Sequence, residues 1–102
     1  MSGAIEIGEV QFHGDLASVM VREGAGAPLH LSQRAKTGLI TVVMLNASHM
    51  ARRGSGGRTF ASLDQALSHY RSPRAQALLR AARAALNEAR TIENLAAQES
   101  AR

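Results

Sequence analysis

The 102-residue chain contains no cysteine, which excludes disulfides, thiolate metal sites and a thiol nucleophile. Aromatic residues are nearly absent: Phe12, Phe60 and Tyr70 make up 3% of the sequence, with no tryptophan. The core must therefore be assembled from Leu, Ile, Val, Met and Ala, whose small members bury little area each. The same scarcity disfavours nucleic-acid readers that stack single-stranded bases on aromatic rings. The longest apolar run, Leu39 to Leu45 broken by Thr41, is far too short to span a bilayer. The N-terminus shows no basic leader followed by an apolar segment. These absences predict a cytoplasmic protein with no membrane span. Lysine is also nearly missing, with Lys36 alone among 12 basic residues. Such Arg- and Ala-rich usage fits a GC-rich bacterial source, and small basic proteins of this kind are often carried by mobile genetic elements.

What is present is basic charge, unevenly placed. Residues 1–33 carry a net charge of −3, residues 34–87 of +8 and residues 88–102 of −1. A cationic middle between mildly acidic ends points to a polyanionic partner, either nucleic acid or an acidic protein surface.

The apolar pattern predicts an α+β fold: an N-terminal hairpin or small antiparallel sheet, then helices, the last long and Ala-rich. Ile5 and Ile7 alternate with polar residues, and the phase slips at Gly8-Glu9 before Val10 and Phe12 resume it. A glycine at a phase slip suggests a bulge. His13-Gly14-Asp15 reads as a three-residue hairpin loop leading into a Val- and Met-rich strand, Leu16 to Arg22,. Leu29 to Leu31 adds a short third strand. In 33–53, the spacing of Ala35, Leu39, Val42, Val43, Ala47 and Met50 favours a helix capped by Ser32, although Gly38 and the Ile-Thr-Val-Val cluster argue for strand.

Gly54-Ser55-Gly56-Gly57 ends that element, and Arg58-Thr59-Phe60 reads as a short strand. Ser62 caps a short helix, Leu63 to Arg71, with Asp64 in its first turn. Ser72-Pro73 opens the final helix, which runs to about Ala97 on strong helix formers. The expectation is one domain over 1–97 with a frayed tail at 98–102. A stripe of Leu78, Ala82, Ala85, Ala89, Ile92 and Ala96 repeats every seven residues, a face suited to close helix packing and to homodimerisation.

Catalytic patterns are missing. The histidines at 13, 30, 49 and 69 have no metal-ligand spacing, Ser55 lacks the nucleophile-elbow motif, and no cofactor motif is visible,. His69-Tyr70-Arg71 offers acid and base groups in sequence, but neighbours on a helix diverge by about 100°. The chain is expected to be a non-enzyme without metal or cofactor. Arg52, Arg53 and Arg58 flank a Gly-rich loop that could cradle phosphate. Arg74, Arg80 and Arg83 crowd the start of the last helix, where the helix dipole disfavours them. Arg80, Arg83 and Arg90, with Gln76 and Asn87, project within about 80°, away from the apolar stripe. These arginines predict contact with the phosphate backbone of duplex nucleic acid. The alternative is a small inhibitor, adaptor or antitoxin-like module that docks on another protein.

Overall fold

The computed structural model describes residues 4–45 and 57–100. Six strands and two helices follow in order: β1 (Ile5–Ile7), β2 (Gln11–His13), β3 (Leu16–Glu23), β4 (Leu29–Arg34), β5 (Ile40–Met44), β6 (Arg58–Phe60), α1 (Leu63–His69) and α2 (Pro73–Ser100). The strands form one antiparallel sheet in the order β1-β3-β4-β5-β6, with β2 also paired to β3. The fold is α+β, with the long helix last.

β1 and β2 are two segments of one edge, divided at the expected phase slip. Ile7 pairs with Val21 and Gln11 with Ser18, so residues 8–10 face only Val19 and Met20. That extra residue is the bulge, closed by the Gly8 N–H donating to the Met20 carbonyl at 2.8 Å,. The hairpin loop is shorter than the sequence indicates. His13 pairs with Leu16, leaving only Gly14 and Asp15 in the turn.

The helix expected over 33–53 is not formed by its described part, residues 33–45. Residues 29–34 and 40–44 are antiparallel strands, with Leu31 opposite Val42 and Gln33 opposite Ile40. Gly38 has φ +75° in the turn between them, and its N–H donates to the Arg34 carbonyl. That left-handed conformation breaks a helix and suits a hairpin. Ser32, read as a cap, is a mid-strand residue. Ala35 and Leu39, placed on the apolar helical face, are exposed turn residues, while Ile40 and Val42 are buried. Ala47 and Met50 lie outside the described residues.

Period-two alternation puts Ala17, Val19 and Val21 of β3, Leu29 and Leu31 of β4, and Ile40 and Val42 of β5 on one sheet face. They form the core with Ala66 of α1 and Leu78, Leu79, Ala82 and Leu86 of α2. The other face carries a polar row across five strands: Gln11, Ser18, Ser32, Thr41 and Thr59 are successive cross-strand partners. The Thr41 and Thr59 hydroxyls lie 3.1 Å apart.

Both helices start as their caps dictate. The Ser62 hydroxyl accepts the Gln65 N–H and the Ser72 hydroxyl accepts the Ala75 N–H,. α1 stops at His69, two residues early, because Tyr70 turns extended at φ −97° and ψ 96°. α2 continues past residue 97 to Ser100. Among the described residues, no helix is long and apolar enough to cross a membrane.

Candidate nucleic-acid interface

α2 buries Ala75, Leu78, Leu79, Ala82 and Leu86, the last four in the core with the sheet, so its buried stripe is rotated from the seven-residue stripe read in the sequence. Leu78 and Ala82, expected to meet a second copy, are 2% and 0% exposed within the chain's own core. Ala85 and Ala89 are half-buried, and Ile92 and Ala96 are exposed.

The rotation sorts the arginines. Arg90 sits beside the buried stripe, and its Nη2 donates to the Asp15 carbonyl at 2.7 Å and the Gln33 carbonyl at 3.3 Å. Its guanidinium also lies 5.7 Å from the centre of the Phe12 ring. Arg90 therefore does not stand free on a phosphate-contacting face with Arg80 and Arg83: it ties α2 to the β2–β3 turn and to β4. Arg22 pairs with Glu6 at 2.7 Å and Arg34 with Asp15 at 3.0 Å. Asp15 also accepts the Lys36 backbone N–H. Desolvation raises the Asp15 carboxyl, but the Lys36 N–H and the Arg34 guanidinium outweigh it and hold the group below its ordinary 3.8,.

The other arginines of the basic middle have no carboxylate within ion-pair distance among the described residues. Arg58 is exposed on β6, the sheet edge, and acts on the nearby Tyr70. Burial raises the Tyr70 phenol, and the Arg58 guanidinium partly offsets it. Arg71 lines a shallow pocket with Asp64, Leu67, Ser68 and Gln76 between α1 and α2. Gln76 donates to the Leu67 carbonyl at 3.0 Å, which fixes the flank of α2 that faces α1. At about 100° per residue, Arg80 and Arg83 fall within roughly 40° of Gln76 on that flank. Arg83 is half-buried, and its Nη1 is buried with no hydrogen-bond partner among the described residues. A guanidinium N–H in that state is costly.

Arg71 thus shares a pocket with Asp64 of α1, Arg58 acts on Tyr70 just past the end of α1, and Arg80 and Arg83 stand on the α2 flank that carries Gln76. Arg74 departs from this group. Its guanidinium lies against Gly26 in the β3–β4 turn, filling the space a side chain there would need. Arg52 and Arg53 lie outside the described residues. Arg71 was not among the sequence's candidate contacts. Its place follows from the docking of α1 on α2, which no local pattern records.

The aromatic distribution also differs from its sequence reading. The His69 and Tyr70 rings are 4.7 Å apart, against the expected divergence, because Tyr70 leaves the helix. Phe60 completes the cluster at 5.5 Å from His69 and 5.9 Å from Tyr70. The rings pack edge-on or tilted against one another, so the cluster braces β6 against α1. Among the described histidines, His13 is exposed on β2 and His30 half-buried on β4, where burial lowers its basicity. Comparison with protein-family models, curated proteins and solved structures finds no match to the chain.

Proposed function

We propose that the protein is a non-enzymatic accessory or regulatory factor of the cytoplasm that binds the phosphate backbone of duplex nucleic acid. One observation carries this reading: among the described residues Arg58, Arg71 and Arg80 are exposed with no carboxylate in ion-pair reach, while Arg22 and Arg34 are neutralised by carboxylates. Guanidinium groups on a rigid strand edge and a helix flank suit bidentate contact with phosphate oxygens. Arg52 and Arg53, which precede β6 in the chain, are candidate contacts from the sequence alone. The Phe60, His69 and Tyr70 rings are engaged with one another and Phe12 with Arg90, so backbone contact takes precedence over base stacking,.

A mobility-shift titration of duplex DNA tests the proposal. Arg58→Ala combined with Arg80→Ala should weaken binding at least about tenfold at constant salt, as expected for lost charge-assisted contacts. Arg22→Ala, on β3 beside the opposite edge strand β1, should leave it nearly unchanged. Equal affinity for all three proteins overturns the assignment of the interface, and no binding at low salt overturns the function.

A further inference from the structure

The flank of α2 turned away from α1 carries a second surface. Ile7 of β1 and Val10 of the bulge wall an apolar groove with Ala81, Ala85 and Ala89. Ile92 closes its end at 61% exposure, Ile7 is 52% exposed, and Leu95 stands one turn further at 55%. Every residue from Thr91 to Glu99 is exposed. α2 has 28 residues, about 42 Å at ~1.5 Å per residue, so its last third projects beyond the sheet.

We infer that this groove receives α2 of a second copy of the chain, running antiparallel across a two-fold axis. Charge and shape both select that occupant. The helix has Arg74 and Arg80 in its first turns and Glu93 and Glu99 in its last, an order its own macrodipole opposes. In an antiparallel pair, each basic head meets an acidic tail and the two dipoles oppose. Arg74, Ala81, Glu88, Ile92 and Glu99 fall within about 40° of one another on the groove-facing flank. A two-fold axis passing between Leu86 and Asn87 sets Glu99 opposite the exposed Arg74, which exchanges its packing on Gly26 for the partner's carboxylate, and Ile92 opposite Ala81. One operation therefore places opposite charges together and a large apolar side chain over a small one. Such reciprocity is the property of an isologous interface. Leu78 and Ala82 take no part, being buried in the core.

Light scattering on the full chain at high micromolar concentration should give twice the chain mass. Ile92→Glu with Leu95→Glu, both exposed in the fold, should give a monomer with an unchanged circular dichroism spectrum. Arg74→Glu should weaken the dimer at least about tenfold, and adding Glu99→Arg should restore it. Because the chain has no cysteine, Ala81→Cys with Ile92→Cys should give a covalent dimer on mild oxidation. A wild-type monomer, or a dimer indifferent to the Ile92 and Leu95 changes, overturns the inference. Either failure leaves the proposed nucleic-acid contact intact, since that patch lies on the α1 side.

Discussion

Arg90→Ala should lower stability by roughly 2–4 kcal/mol. The guanidinium contributes two hydrogen bonds to backbone carbonyls, at 2.7 and 3.3 Å. Bonds to a charged group contribute about 1.5–3 kcal/mol each when short, and the longer one counts at the low end or less. The Phe12 ring at 5.7 Å adds about 0.5–1 kcal/mol. In a domain this size, 1 kcal/mol shifts the melting temperature by about 4–8 °C, so the loss should exceed about 8 °C. Arg90→Met keeps much of the stem packing and should recover part of the deficit without the bonds. Urea denaturation followed at 222 nm measures both. A change below about 0.5 kcal/mol, within the range of ordinary surface substitutions, would refute the reading of Arg90 as a tie between α2 and the sheet. Unchanged stability with weaker DNA binding would return Arg90 to the phosphate-contacting set.

Leu79→Ala removes a side chain that is 0% exposed between α2 and the sheet and should cost about 2–5 kcal/mol in the same assay. The Asp15 carboxyl is held below its ordinary 3.8 in the folded chain. Its stabilisation is therefore complete above that value and lost as pH falls through the lower folded one. Urea midpoints of the wild type and Asp15→Asn should differ at neutral pH and converge under more acid conditions; a constant gap would remove Asp15 from the pH dependence.

The features that were legible in the sequence are the local ones. Ser62 and Ser72 announce helix starts because a cap needs only its own next three residues, and Gly8-Glu9 announces a bulge because the alternation changes phase there. Residues 33–44 misled because Ala35, Leu39, Val42 and Val43 fit a helical face as well as strands. Pairing of Leu31 with Val42, and of Val42 with Arg58, decides between them, and that pairing joins distant segments. His69 and Tyr70 converge only because the chain leaves α1 between them. The regrouping of the arginines was illegible for the same reason: Arg90 is removed by a turn 75 residues away, and Arg71 shares a pocket with Asp64 and Gln76 only through the docking of α1 on α2.

The central claim, that a cationic patch around α1 grips nucleic-acid phosphates, is tested most directly by the salt dependence of duplex DNA binding. Fluorescence anisotropy should give an affinity whose logarithm falls linearly with the logarithm of salt concentration, at a slope near −0.9 per neutralised phosphate. Arg58→Ala should make that slope shallower by about one unit. Affinity independent of salt, or a slope unchanged by the loss of Arg58, would contradict the account.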